Sequence, residues 1–171
     1  MSLNFGLTIR SHWLQFFTVY YHQKMKYHIR KATEKDVETT YNYICLLEES
    51  LFDFELFNAI YKENIQSRSC IYLVAVLELD NENIIGFISC HIQNLLHHCS
   101  KVAEIQELYV AKEYRKLSIG KALVNAVEEN LRALNCTSFE VTAQNKRLQT
   151  HQFYQNTGFE NTHKKFVKHL V

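Results

Sequence analysis

No proline occurs anywhere in the 171 residues, and glycine appears only 4 times. Turns therefore fall to Asn, Asp and Ser, whose short polar side chains bond back to the backbone. An excess of one charge is missing too: 19 Lys and Arg against 18 Asp and Glu leave a formal net charge of +1. That balance argues against a polyanion binder, since nucleic acid is held largely by clustered Lys and Arg. Only a local basic pocket for a small anion stays open. No CxxC pair occurs among the 5 cysteines, Cys45, Cys70, Cys90, Cys99 and Cys136. Their odd number and wide spacing speak against a disulfide scaffold or zinc site and suit reduced, buried thiols in a cytoplasmic protein. The apolar stretch Trp13 to Tyr21 is far below the ~20 residues of a membrane span, and no small-residue cleavage signal accompanies it. Neither a membrane partner nor export is expected. Repeats and low-complexity tracts are absent as well.

Hydrophobic residues make up 47% and charged residues 22%, enough to bury the core of one compact domain. Residues 1–24 show no clear period and read as an appended or mis-started leader, or as a short extra helix packed on the domain or a second subunit. A single domain is expected over residues 25–171. Tyr27 to Lys31 alternates as a short strand, and Thr33 with Asp36 forms a capping-box pattern that opens a helix. Val37, Tyr41, Ile44 and Cys45 share one helical face, and Phe57, Ile60 and Tyr61 suggest a second helix. Ile71 to Leu79 and Ile84 to His91 read as strands of a hairpin turning at Asp80 to Asn83.

Glu104 to Val110 is a further strand leading into a helix from about Ile119, where Leu123, Val127, Leu131 and Leu134 recur at helical spacing. Lys121, Asn125, Glu128 and Arg132 occupy its other faces. Phe139, Val141 and Ala143 alternate in the next strand. A helix through His151 to Asn156 stops at Gly158, and Phe159 to Leu170 reads as a last strand. The order β-α-α-β-β-β-α-β-α-β predicts an α/β sandwich around a mixed sheet.

The chemistry sits in Glu104–Val110, the polar turn Ala111–Arg115 and the helix start Lys116–Ala122. Successive N–H groups at a helix start lack partners within the helix, and the positive dipole end there suits a pyrophosphate. Gly120 lets the backbone approach closely. An ordinary strand-to-helix connection reads the same way, so this segment alone decides nothing.

A second segment, His151-Gln-Phe153-Tyr154-Gln-Asn-Thr-Gly158-Phe159, follows a strand and a loop at Asn145. Together the two closely resemble the GNAT acyltransferase superfamily. Its coenzyme A signature Arg/Gln-x-x-Gly-x-Gly/Ala is matched by Arg115 and Gly120. Ser118 replaces the middle glycine, though a serine still offers its N–H, and Lys116 stands where glycine is frequent. The later motif Phe-Tyr-x-x-x-Gly-Phe is matched by Phe153, Tyr154, Gly158 and Phe159. The resemblance covers about residues 27 to 170. Tyr43-Ile-Cys-Leu, Phe52-Asp53, Leu96-His97-His98, Glu104-Ile-Gln-Glu-Leu108, Lys146-Arg147, His151-x-Phe-Tyr154 and an ending with His163, Phe166, Lys168 and Leu170 look like the aminoalkylphosphonate N-acetyltransferases.

The resemblance implies an acyl-CoA N-acyltransferase fold, α/β (α+β) with a mixed twisted sheet flanked by helices. It also implies transfer of acetyl from acetyl-CoA to a small primary amine, and a homodimer. Coenzyme contacts fall on Leu108, Tyr109, Val110, Arg115, Lys116, Leu117, Ser118, Ile119, Gly120, Lys121, Asn145 and Phe153. The strand Leu108 to Val110 would hold the pantetheine arm, with the Val110 N–H facing the thioester carbonyl. Tyr154, with a phenol pKa ordinarily near ~10, is the general acid. Glu107 or Glu104 is the base. Three residues apart, they point to opposite faces of a regular strand, so only one faces the cleft unless a bulge intervenes, and Glu107 is preferred.

For an aminoalkylphosphonate acceptor, Asp53 would hold the ammonium, and His97, His98 and His163 the anionic end. Lys146 and Arg147 would meet a coenzyme phosphate or stay solvated. Some members are associated with a divalent cation, yet adjacent His residues on an extended chain point opposite ways and share a metal poorly. Another amine (polyamine, aminoglycoside or protein N-terminus) and a non-catalytic coenzyme A sensor are the alternatives.

Overall fold

The computed structural model describes residues 26–78 and 80–170. The expected leader, residues 1–24, lies outside them. Along the chain run β1 (Tyr27–Lys31), α1 (Val37–Glu48), α2 (Phe54–Gln66), β2 (Cys70–Leu77), β3 (Asp80–Leu95), β4 (Ser100–Val110), α3 (Ile119–Ala133), β5 (Cys136–Val141) and α4 (Leu148–Asn156). The strands lie in the order β1-β2-β3-β4-β5, antiparallel except for the parallel β4–β5 pair. This is the mixed sheet flanked by helices that the sequence implied.

The helices start and stop where local chemistry allows. Thr33 and Asp36 form the capping box: the Thr33 amide donates to Asp36 Oδ2 at 2.7 Å and the Asp36 amide faces the Thr33 side chain, while also closing the turn on the Thr33 carbonyl at 3.0 Å. A short 3-10 turn, Glu34–Asp36, precedes α1. The buried Asp36 carboxylate also receives Arg30 through both Nη atoms, at 2.7 and 2.9 Å, tying β1 to the first turn. In α3, Ile119, Leu123, Val124, Val127 and Leu131 are buried on one face, each stabilising by about 1.5–3 kcal/mol relative to exposure. Gly86 of β3 lets that helix approach: a Cβ there would meet Leu123 Cδ1 at 3.1 Å and the Tyr109 carbonyl at 3.2 Å.

The core has two layers. Helix α3 and the Phe153–Tyr154 end of α4 cover one face of the sheet, with Ile85, Ile88, Cys90, Ala103 and Ile105 beneath them. Helices α1 and α2 cover the other through Ile44 and Tyr61, on Val74, Val76 and Phe87.

Six expectations need correction. Of the cysteines expected to be buried, Cys99 is exposed and only Cys90 is fully buried. Ala143 lies past the end of β5 at Val141. The tail Phe159 to Leu170 joins no strand, because apolar alternation makes no strand without a backbone partner. β3 opens at Asp80, inside the expected turn. β3 and β4 both run further toward their shared hairpin than the apolar pattern reached. Leu134 lies just past the end of α3 and is 38% exposed rather than on its buried face.

Candidate active site

The site grows from one irregularity in β4. Opposite β3, Ser89 pairs with Glu107 and the next residue, Cys90, pairs with Ile105, so Gln106 is an unpaired extra residue. Such a β-bulge shifts the alternation of side chains by one. Ala103 and Ile105 before it, and Leu108 and Val110 after it, all contribute to the α3-side core. Glu104 and Glu107 therefore share the opposite face. The bulge, left open as a condition in the sequence, is present and puts both carboxylates on one side.

The backbone beyond the bulge is equally informative. The Ala111 amide donates to the Ile85 carbonyl at 3.0 Å, in the same register that pairs Val110 with Gly86 and Leu108 with Ile88. Hydrogen-bonded and non-hydrogen-bonded pairs alternate in an antiparallel ladder, so the N–H groups of Leu108 and Val110 point away from β3. On that side lies β5, whose pairing with β4 ends at Ile105 and Val141. Past that point the two strands part, and the Leu108 and Val110 amides face the gap.

Helix α3 begins at the same gap. From Lys116 through Lys121 six consecutive amides find no backbone acceptor among the described residues, and the first internal bond is Ala122 N–H to the Ser118 carbonyl at 2.9 Å. This is an N–H-rich helix start with its positive dipole end. Lys116 and Ser118 hold φ of 66° and 61°, left-handed conformations that glycine adopts freely. Their departures from the glycine signature thus fall on two backbone positions that favour glycine. Gly120 lies against Phe153 and Val110, a Cβ there coming 3.4 Å from the Phe153 ring and 3.7 Å from Val110 Cγ2. Ile119 is buried, Leu117 half-buried and Lys121 exposed. Arg115 donates from Nε to the Val110 carbonyl at 3.0 Å, its guanidinium 5.4 Å from the Tyr109 ring centre. Tyr109 stacks on Tyr43 of α1, centroids 4.7 Å apart.

Tyr154 is fixed by the end of its own helix. The Phe159 amide bonds the Tyr154 carbonyl at 3.0 Å and the Gly158 amide the Gln155 carbonyl at 3.1 Å, with Gly158 at φ 95°. These two bonds make a Schellman cap, and its usual apolar contact is Tyr154 on Phe159, ring centres 5.4 Å apart. The Phe-Tyr-x-x-x-Gly-Phe spacing is that cap written in sequence. Burial pushes the Tyr154 phenol up to about 12, with the Arg147 charge pulling the other way. Among the described residues nothing accepts a hydrogen bond from this phenol.

Arg147, at the start of α4, reaches across to the end of α1. It donates to the Leu47 carbonyl at 3.0 Å and stands 3.5 Å from the Glu48 carboxylate. Asn145 is exposed in the preceding turn.

The carboxylate face carries groups the sequence reading missed. Glu107 bonds Ser89, its amide donating to Ser89 Oγ at 3.1 Å and its carboxylate accepting from the same hydroxyl. Burial raises the Glu107 carboxyl above the ordinary range, against the opposing effects of Ser89 and His91, and Glu48 adds to the rise. His91 pairs with Glu104 across the strands. It stacks on Tyr72, which lies 3.4 Å from His91 Nε2 and receives Asn64 at 2.8 Å. Ser89 and His91, polar at i and i+2 within an apolar strand, were the available signal. Glu104 accepts from Thr142 at 2.8 Å and lies 4.0 Å from Lys165 of the tail.

The remaining candidates lie elsewhere. Asp53 caps α2, accepting from the Leu56 amide at 2.8 Å. His163 is exposed on the tail, bonded to Thr162 at 2.7 Å. His97 and His98 sit in a 3-10 turn, Leu96–His98, at the tip of the β3–β4 hairpin. That tip is about 25 Å along β4 from Glu107, at about 3.3 Å per residue. The turn sets their rings 4.3 Å apart rather than on opposite sides. Among the described residues no group of three or more His, Cys, Asp or Glu is disposed to hold a metal ion.

Comparison with known proteins decides the family. The acetyltransferase (GNAT) family model matches residues 12–159. The chain belongs to the GNAT acetyltransferase family. The match reaches back into the segment read as a leader. An aminoalkylphosphonate N-acetyltransferase of Salmonella typhimurium is 33% identical over 142 residues, 83% of this chain and 90% of that protein. The aminoglycoside 6'-N-acetyltransferase AAC(6')-Ih of Acinetobacter baumannii superposes with a TM-score of 0.73 at 22% identity, over 85% of this chain and 100% of that one. Aminoglycoside N-acetyltransferase AAC(6')-Iy, solved in complex with CoA, gives 0.75 at 18% identity, over 85% and 95%. The fold is that of these acetyltransferases, and the GNAT chain described here is an N-acetyltransferase. No described helix is long and apolar enough to cross a membrane.

Proposed function

We propose that this acetyltransferase moves the acetyl group of acetyl-CoA onto a small primary amine, with aminoalkylphosphonates as the acceptor class. The observation that carries the reading is the opening between β4 and β5, flanked by free amides on two sides. The uncapped amides of Lys116–Lys121 suit a diphosphate. The Leu108 and Val110 backbone suits a pantetheine arm, and the Val110 N–H an oxyanion, a donor whose loss typically raises the barrier by about 3–4 kcal/mol. The Salmonella relative's acceptor class supports the choice of amine.

The proton steps follow from burial. The incoming ammonium gives a proton to Glu107, directly or through water, and the Glu107–Ser89 contact steadies that carboxylate. The neutral amine attacks the thioester carbon. The adduct's nitrogen sheds its second proton to water as the C–S bond breaks and the thiolate leaves, and that proton restores the Tyr154 phenol after the phenol has protonated the sulfur. Tyr154, a protonated phenol at neutral pH, supplies the proton to sulfur. Glu104, bonded to Thr142 and near Lys165, is the less available base. The free thiols of the described cysteines suit a reducing cytosol.

The test is release of coenzyme A thiol from acetyl-CoA with 2-aminoethylphosphonate and a panel of other amines. Tyr154→Phe is expected to lower kcat by about 10²–10⁴ with an unchanged acetyl-CoA Kd. Equal loss of binding and turnover would remove Tyr154 from the acid role. Coenzyme binding without turnover of any amine would favour a sensor.

A further inference from the structure

The tail after α4 brings one cation to the acceptor face. Residues 161–170 hold Lys164, Lys165, Lys168, His163 and His169 and no acid. Lys165 Nζ comes within 4.0 Å of Glu104 Oε1. Glu104, Glu107 and Glu140, the last paired with Glu104 across β4–β5, form a carboxylate row on that face. Unrelieved, such a row would suit a polyamine and repel any acceptor with an anionic end. Among the described residues, Arg147 is engaged with Leu47 and Glu48, and the His91 ring with Tyr72. Among the described residues Lys165 makes only the long contact to Glu104, and it is 59% exposed, which leaves N–H donors toward this face.

We propose that Lys165 is the specificity-determining residue that binds the anionic end of the acceptor while Glu107 takes its ammonium end. The spacing suits one ligand. Glu104 and Glu107 pair with His91 and Ser89, two residues apart on β3, so they stand about 7 Å apart along the strand at about 3.3 Å per residue. Lys165 Nζ lies a further 4.0 Å from Glu104 Oε1, so the reach from Glu107 to Lys165 extends to about 11 Å. A two-carbon bridge separates an amine nitrogen from phosphonate oxygens by about 5 Å, and a hydrogen bond of about 2.9 Å at each end extends the span to about 11 Å. An anion there accepts charge-assisted bonds from Lys165, whose positive charge also offsets the repulsion from Glu104.

This inference rests on the acetyl-transfer reading, and the experiment separates the two. Acetyl-CoA turnover is measured with 2-aminoethylphosphonate and with 3-aminopropanol, an amine of similar length without the charge. Lys165→Gln is expected to raise KM for the phosphonate about tenfold or more, the scale of one charged hydrogen bond. KM for the alcohol should hold, Lys165→Arg should restore most of the loss, and Lys168→Gln should change neither. Equal weakening of both amines by Lys165→Gln, or no change in either, overturns the proposal. If the wild type turns over neither amine, the acetyl-acceptor reading falls. The Lys165 assignment is then judged by calorimetric titration of 2-aminoethylphosphonate in the presence of coenzyme A. A loss of affinity confined to Lys165→Gln supports it, and equal or absent binding in both proteins overturns it.

Discussion

Ser118→Gly is expected to stabilise the protein without harming coenzyme binding, although it removes a side chain from the site. Ser118 precedes α3 at φ 61°, where an L-residue suffers a clash of Cβ with the carbonyl oxygen worth about 1–2 kcal/mol. Its side chain makes no capping hydrogen bond, so none is lost. Glycine gives back about 0.4–1 kcal/mol through the greater freedom of its unfolded chain. The net gain is about 0.5–1 kcal/mol, or roughly 1–4 °C in Tm for a chain of this size. Lys116→Gly, at φ 66°, should behave alike. Ala122→Gly, inside α3, is the control and should lose about 1 kcal/mol. Thermal unfolding measures the first quantity, and calorimetric titration with coenzyme A the second, which should hold because the substituted residue keeps its N–H. A Tm at or below wild type for Ser118→Gly would refute the strain argument. A raised Tm with tenfold weaker coenzyme binding would refute the role given to the amides.

Two other perturbations have signs fixed by what surrounds a carboxylate. The folded Glu107 carboxyl lies above its unfolded value because burial disfavours its charge, so its ionisation costs stability as pH rises through the folded pKa. Glu107→Gln should therefore be more stable than wild type at neutral pH, with the advantage fading below the ordinary carboxylate range, while kcat/KM falls about 10²-fold or more. Unfolding midpoints across pH, with thiol release, check both, and a variant less stable at neutral pH would contradict it. For Asp36, burial pushes the carboxyl up, but the Arg30 and Thr33 hydrogen bonds outweigh it and hold the pKa below its ordinary value. Asp36→Asn should cost about 2–4 kcal/mol at neutral pH. The difference should shrink as acid protonates Asp36 through that depressed pKa, and a pH-independent loss measured by denaturant unfolding would contradict it.

What the sequence disclosed follows from where the physics is local. Tyr27–Lys31 occurs as expected, and the capping box at Thr33 and Asp36 is present, because each depends on residues close in sequence. The amphipathic face of α3 was legible for the same reason. The unread features are relations between distant backbones. Ser100 and Lys101 belong to β4 because β3, and for Lys101 also β5, lies beside them, and nothing in their residue types says so. The tail reads as a strand yet has no ladder. Asp53 has the residue type for an ammonium site, but its position before Phe54 makes it a helix cap. The Asn64–Tyr72–His91 chain joins α2, β2 and β3, and only the sheet register brings it beside Glu104.

The bulge at Gln106 ties these threads together. A regular β4 would have placed Glu104 and Glu107 on opposite faces. With the extra residue, the same strand sends both carboxylates toward the α1–α2 side and packs Leu108 and Val110 on the α3 side, while its backbone amides face the gap left by β5. In the proposed mechanism, three requirements of acetyl transfer fall to one short segment: a base, an oxyanion donor and a rail for the donor's arm. Each depends on the register set by Gln106, an exposed polar residue with nothing in its chemistry to mark it. The constraint on this strand is thus a count of residues as much as a choice of them: deleting Gln106 would turn Glu104 and Glu107 to opposite faces.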